Sequence, residues 1–562
     1  TMAEILTSTY RADLMRRFYD DTQENEYYMF IGNDVNEVGA KITSVNSHFS
    51  QQQFMNNILF GKKVQKDEIQ FMVKYYPWQQ GIVFDEYDDR TNLVDKRFYC
   101  VVGPNINNTG DYRVFKCLSN NSGAAVKTHP EWSNDNLEGV YPIPTDGYIW
   151  RYMYRMTAAE FEAYNASGFI PVIGDYNKDP YNIANTGYAT VPTTIGSEVT
   201  TIKVENAEEN FGYTSASGEI DSVDYSGVIT ADPYTNSPLN EITNYYTGFT
   251  FSIELGGSSS NTIIYEVASY TYDEATNTGQ FDLEVDLNQL TQDGIAPNQR
   301  WKVTPKVKIE GDGTGAEALS VVNNGSVTDI QVINKGSGYN SVTASVVDPN
   351  FDFDPEDANT VDVRASIRPI LSPKGGHNAD PLLELEARRL LMYAYITETD
   401  SLSIGPTGTF SFVGLIKNPQ WANTALYTAN TGGPDVFDNR IAVVTDDYQN
   451  TFQNDTISQV DAANEVIFRG KVHEVDTTAN TVYISEYLGP YTNTANNSSS
   501  FDPNFNLLAS SGSPITINTP VEDNITRSPL VQRSGLIYFM EDITPLDRTD
   551  KSREEFKLVL EF

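Results

Sequence analysis

Two cysteines in a chain of 562 residues cannot build a disulfide scaffold, so Cys100 and Cys117 are expected to be reduced and buried. Both fall on expected strands that flank a Gly/Asn-rich turn, where they could be neighbours across a hairpin. Histidine is nearly as scarce: His48, His129, His377 and His473 stand far apart, without HExxH or any other metal-binding spacing. Positive charge is also short, with 38 Lys and Arg against 76 Asp and Glu, a formal charge of −38. A surface this negative repels phosphate, which argues against nucleic acid as a partner. A solvated, salt-tolerant surface is the expected reading, with docking on basic partner surfaces or binding of divalent cations as alternatives that composition alone does not show. No apolar run approaches bilayer-spanning length, so no membrane insertion is expected. Arg11, Arg16 and Arg17 interrupt the one apolar pattern near the start, so no signal peptide and a cytoplasmic site of assembly are expected.

Catalytic motifs are missing too. There is no P-loop, no GxSxG elbow and no CxxC. Gly311-Asp-Gly-Thr-Gly-Ala316 matches GxGxxA, but Val321-Val-Asn-Asn-Gly325 signals a hairpin where a dinucleotide site needs a long helix. With 76 acidic residues, carboxylate pairs arise by chance and nominate no glycosidase. The chain is therefore expected not to be an enzyme, with no catalytic residue, metal ligand or cofactor.

What the chain has is aromatic and strand-forming residues. Tyr 34 and Phe 27 bring aromatics to 12%, and Asn, Thr, Ser and Gly punctuate short Val/Ile-rich runs. The expected fold is mainly β with a few peripheral helices: a layered β-sandwich core carrying inserted β-modules. Helices are expected at 10–22, with Leu14, Met15 and Phe18 inward, and from Ser50 to Gly61 with Phe54, Ile58 and Leu59 inward. A third follows Thr157, whose capping-box partner is Glu160, and stops at Gly168. A fourth, over 380–396, has Asp380 as N-cap, Pro381 first, and Glu384 paired with Arg388. Asn324-Gly325 between alternating runs marks a hairpin, and Val466–Val475 and Thr481–Glu486 alternate around Asp476-Thr-Thr-Ala-Asn480. The tract Asn493–Ser500 reads as an exposed loop.

Three features are singled out as core or interface signatures. Tyr148, Trp150, Tyr152 and Tyr154 share a parity, so on one strand they would form an aromatic ladder; core or subunit contact is the expected use, over a sugar platform. His377, in Lys374-Gly-Gly-His-Asn-Ala-Asp380, sits ahead of a helix start, where it could meet an anion or a partner backbone, or order the loop; the ordering role is favoured. Last are the terminal runs Leu536–Met540, with Tyr538, and Phe556–Phe562, two strands joined through a Pro545 break. Ending on Phe562 inside a strand ties that terminus into a sheet.

These segments carry a resemblance. Gly535-Leu-Ile-Tyr538-Phe-Met-Glu541 and the Leu560-Glu-Phe562 ending resemble the closing strands of the baseplate wedge proteins of T-even-type contractile-tailed phages, the gene-eight product family. Tyr112-Arg-Val-Phe-Lys-Cys-Leu118, Asp146-Gly-Tyr-Ile-Trp150-Arg-Tyr152 and Phe410-Ser-Phe-Val-Gly-Leu-Ile-Lys-Asn-Pro419 fit its pattern in the same order. The Thr9-Tyr-Arg11 helix and the Met29-Phe-Ile-Gly32 strand fit more loosely. The resemblance implies a structural subunit of the virion tail baseplate, homodimeric, contacting gene-six, gene-seven and gene-ten type wedge products. On this parsing 1–190, 363–422 and 525–562 form one wedge core, 191–362 is an inserted β-rich domain, and 423–524 is a second β-rich insertion. A receptor- or carbohydrate-binding tail protein acting through the inserted modules is the alternative. A polysaccharide-degrading enzyme comes third.

Overall fold

The structure, a computed structural model, describes residues 7–33, 36–37, 40–41, 47–104, 110–130, 146–172, 197–257, 261–351, 363–374, 376–377, 380–397, 408–421, 433–485, 506–510, 513–519, 523–526, 528–531, 534–548 and 554–562. The middle of the expected Pro104–Gly110 turn (105–109), the Asn493–Ser500 tract and the expected boundaries near 190, 362 and 422 lie outside these residues. The chain is mainly β, 48% strand and 12% helix. It forms two compact units: Thr1–Lys74, Glu162–Pro171 and Ala387–Phe562 make the first, Tyr75–Phe161 and Val172–Glu386 the second.

The first unit holds a five-stranded antiparallel sheet in the order Val436–Asp438, Ile58–Lys63, Tyr27–Gly32, Gly408–Lys417, Leu536–Arg548. A four-stranded sheet runs Glu554–Glu561, Arg389–Ile396, Ile69–Lys74, Phe169–Pro171. The two share a sandwich core: Ile31, Leu59, Phe60 and Phe410 of one pack with Ile396 and Phe556 of the other. A further sheet of seven strands is built around Thr456–Val460, Val466–Asp476 and Thr481–Ser485, as the alternation there predicts.

The second unit holds a three-stranded sheet, Tyr99–Val102, Asp111–Ser119, Ile149–Thr157, and a seven-stranded sheet from the 191–362 region. It also holds a six-stranded sheet from that region whose edge strand, Ile367–Leu371, comes from the segment expected to belong to the core and pairs with Val199–Val204. The seven-stranded sheet buries an aromatic cluster in which Phe281 lies 4.8 Å from both Phe251 and Tyr270 and 5.7 Å from Trp301. Full burial of each such side chain contributes about 1.5–3 kcal/mol. Thr314–Asn323 and Ser326–Ser337 form the expected hairpin, with Asn324 at φ 49° and Gly325 at φ 85°, the left-handed pair a two-residue turn requires.

Several expectations need correction. The strands of Tyr112 and Trp150 belong to the second unit and the C-terminal strands to the first, so the segments that resemble the wedge family do not build one sheet-based body. The 423–524 region is not separate from the core sheet, because Val436–Asp438 is that sheet's edge strand. The helix over 380–396 is a single turn, Pro381–Glu384: Asp380 Oδ1 does accept from the Leu383 amide at 3.1 Å, but Glu386 at φ 55° ends the turn. Arg389–Ile396 is a strand paired on both sides, and its apolar run is buried on both faces, a pattern that periodicity does not separate from a helix. The Ser50–Gly61 helix is His48–Asn56, capped by Ser47, and Ile58 and Leu59 begin a strand. The other two expected helices are Ser8–Glu24 and Ala158–Tyr164, and in the second the Glu160 carboxylate accepts from the Thr157 amide at 2.7 Å; Leu287–Gln292 is a further short helix.

Pro545 does not break the ribbon either. Leu536–Arg548 runs through it, because this is an edge strand and the register against Gly408–Lys417 shifts between Phe410 and Phe412, a bulge that tolerates the missing amide. Gly325→Ala is expected to lower the stability of the second unit by about 1 kcal/mol, since alanine strains at positive φ. A urea midpoint unchanged from the parent would contradict that turn geometry.

Candidate assembly surface and buried ionic clusters

The C-terminal ribbon closes the first unit with two strands, each at the edge of a different sheet. Phe562 is tied down: its amide donates to the Arg388 carbonyl at 3.0 Å, its carbonyl accepts from Arg11 Nη1 at 2.6 Å, and its ring lies 5.6 Å from Phe18. Tyr538 is 44% exposed, yet its ring meets Tyr27 at 5.6 Å and Phe18 at 6.2 Å. Lys417 Nζ lies 5.6 Å from that ring and 2.6 Å from Asp21, which also accepts from the Tyr27 hydroxyl. Beside Tyr538, Leu536 and Leu546 are also exposed, at 49% and 52%. Between the ribbon strands and the sheets they flank lies a cleft of about 460 Å³, with Phe539, Ile543, Phe556 and Leu558 among its apolar lining.

In the second unit the aromatic ladder is broken. Trp150 sits opposite Cys117 and Tyr152 opposite Phe115, and these pack in one core with Tyr148. A bulge at Met153 then shifts the register so that Tyr154 pairs with Val114, on the face opposite Trp150 and Tyr152. Tyr148 and Trp150 are fully buried and stacked, with centroids 5.3 Å apart, and Tyr154 is 4% exposed. These rings are core, and a sugar platform is not available on them. Cys100 and Cys117 are both buried and free; Cys100 pairs with Phe115, two register positions from Cys117, and burial pushes both thiols up.

His377 is not a surface loop residue. It is fully buried beside Lys116: Nδ1 is 2.7 Å from Lys116 Nζ and Nε2 is 2.8 Å from Thr200 Oγ1, with the ring edge-on to Tyr87 at 5.6 Å. Lys116 in turn lies 2.5 Å from Glu384 Oε2 and 4.5 Å from the centre of the Tyr87 ring. Burial, then Lys116, Arg151 and Lys335, hold His377 well below its usual range, so it stays neutral. Lys116 therefore donates to Nδ1, and the proton on Nε2 faces Thr200. Burial also lowers the Lys116 ammonium, against the pull of Glu384. These contacts tie the loop ahead of the Pro381 turn to Lys116 and Thr200. Glu384 pairs with Lys116 in place of Arg388, because the expected helix register does not exist.

The sequence reading missed Lys116, Thr200 and Glu384 as one group. The available signal was a lysine inside Val114-Phe-Lys-Cys-Leu118, a run otherwise reading as doubly buried strand. It also missed Arg440 in the first unit, 3% exposed, which donates to both Asp438 oxygens and to Glu474 Oε2 at 3.2 Å and stacks on Tyr483 at 4.3 Å. Next to it, His473 Nδ1 is 2.8 Å from Asn33 Nδ2, and burial, then Arg440 and Lys471, lower its pKa to about 3. His129 lies edge-on to Trp78 at 5.6 Å, and the His48 side chain is outside the described residues. Among the described residues, no group of three or more His, Cys, Asp or Glu side chains could hold a metal ion. No family model matches the chain, and no curated protein matches its sequence.

Two outcomes test these clusters. Glu384→Gln leaves a buried ammonium short of its counter-charge and is expected to cost about 3–5 kcal/mol. Lys116→Met combined with Glu384→Leu is expected to recover more than half of that, short of all because His377 Nδ1 loses its donor. A double variant no more stable than the single one would contradict the pairing. For His473, the folded pKa lies below the unfolded value of about 6.5, so its stabilising contribution is complete above that pH and is lost as pH falls toward the folded pKa. Parent protein should thus lose stability from about pH 6.5 to 4.5 more steeply than His473→Gln, by up to about 1.4 kcal/mol per pH unit. Parallel pH profiles would show that the ring is not buried neutral.

Proposed function

We propose that this chain is a structural subunit of the baseplate wedge of a contractile phage tail, one that takes part in baseplate assembly and in the conformational switch that triggers sheath contraction. The observation that carries the reading is the C-terminal ribbon. Its Gly535-Leu-Ile-Tyr538-Phe-Met-Glu541 and Leu560-Glu-Phe562 motifs resemble the wedge family, and they fall on two anchored strands that leave sheet edges and apolar side chains open to contact. Buried ion pairs and aromatic clusters within each unit favour units that are individually stiff. Switching energy then comes from differences in contact between two assembled states. Partners on this reading are a second copy of the chain and gene-six, gene-seven and gene-ten type wedge products, within a virion tail built in the host cytoplasm.

A second reading, adhesion to a receptor glycan through the β-rich insertions, is favoured by isolated exposed rings: Tyr225 is 97% exposed, Phe452 65% and Phe211 62%. They are scattered rings, not one platform, so assembly is preferred. Multi-angle light scattering of the purified chain is expected to give a dimer, and labelled antibody is expected to decorate the baseplate of tail particles. A monomer at every concentration, together with label elsewhere or absent, would contradict the proposal. Glycan-array binding lost on Tyr225→Ala would favour the second reading.

A further inference from the structure

The ribbon cleft has a chemistry of its own. On the Leu536–Arg548 strand, Phe539 sits opposite Leu415 and Glu541 opposite Val413, so a carboxylate alternates with an apolar ring on the wall that faces the cleft. On the other strand Glu554, Phe556 and Leu558 share a parity and line the same space. Three carboxylates line it: Glu555, which pairs with Lys557 at 3.0 Å, and Glu541 and Glu554, which sit among Phe539, Ile543, Phe556 and Leu558. Lys557 also borders the cleft, but its ammonium is engaged by Glu555 at 3.0 Å and by the Asn165 carbonyl at 3.2 Å. Among the described residues, each ribbon strand has a neighbouring strand on one side only.

We propose that this cleft receives an extended, basic and apolar segment of a different polypeptide. The segment adds as a strand along the Leu536–Arg548 edge, on the stretch before Pro545, where backbone amides remain able to pair. Its apolar side chains enter the cleft, and a Lys or Arg lays its aliphatic stem on Phe539 and Phe556 with the charge against Glu541 and Glu554. A second copy of this chain fits poorly. A two-fold contact through this cleft would set each copy's carboxylates against the other's, in a chain that already carries −38. The inference deepens the assembly reading and rests on it for the role of the ribbon as a contact surface.

The test uses the full chain and a fluorescent synthetic peptide alternating lysine and valine, read by anisotropy. Saturable binding that weakens with salt is expected, with about a tenfold loss or more in Glu541→Gln/Glu554→Gln, which keeps side-chain shape. Glu310→Gln, an exposed acid on another sheet, is expected to change nothing. In hydrogen exchange the peptide should protect amides before Pro545 in the ribbon. The proposal is overturned by no binding, by equal binding of a glutamate–valine peptide, by equal loss in Glu310→Gln, or by protection appearing elsewhere. A chain that still joins tail particles while failing these tests keeps the assembly reading and loses this one. Peptide binding by a chain absent from tail particles does the reverse.

Discussion

The terminal ribbon splits its two strands between two sheets, and the rest of the first unit depends on that division. Leu536–Arg548 pairs with Gly408–Lys417, while Glu554–Glu561 pairs with Arg389–Ile396, so one short connection ties together the two layers of the sandwich. The Phe562 contacts with Arg11, Phe18 and Arg388 then fasten the N-terminal helix to the same edge. Ordering these segments costs backbone entropy, and the aromatic packing of Phe562 on Phe18 and its hydrogen bond from Arg11 offset part of that cost.

The same economy of contact recurs in the interior. Lys116 and Glu384 beside neutral His377 in one unit, and Arg440 beside neutral His473 in the other, place ionic groups where water is largely excluded, with Asp438 and Glu474 as the partly exposed counter-charges of Arg440. Desolvation makes such groups poor sources of net stability but severe penalties for any rearrangement that separates them. They therefore favour a unique arrangement of the strands that carry them. On the proposed assembly reading, that behaviour would suit a subunit that holds its shape under load.

Much of the architecture was legible in local chemistry. Asn324-Gly325, the Thr157–Glu160 box and the alternation around Asp476 are short-range signals whose outcome is decided within a few residues. What escaped was decided at long range. Asp380 and Pro381 cap a real turn, but whether Leu390 and Leu391 continue as helix or strand depended on partners at Ile69–Met72 and Val559–Leu560, which no local pattern names. The bulge at Met153 turned Tyr154 away from Tyr152 although their parity matched, and edge position let Pro545 stay inside a strand. The grouping of strands into units was equally hidden, since the chain crosses between the two units four times. For the site, Tyr538 and Phe562 were visible in the sequence; Glu541 and Glu554 were not, because only the register puts them on one cleft.

Amide hydrogen exchange along the ribbon, compared between the isolated chain and assembled tail particles, tests the central claim most directly. In the isolated chain, alternate amides that bond to Gly408–Lys417 and Arg389–Ile396 should exchange slowly and the outward row quickly, a period-two pattern. In the particle both rows should be slow. Uniformly fast exchange in the isolated chain, or an outward row still fast after assembly, would contradict the account.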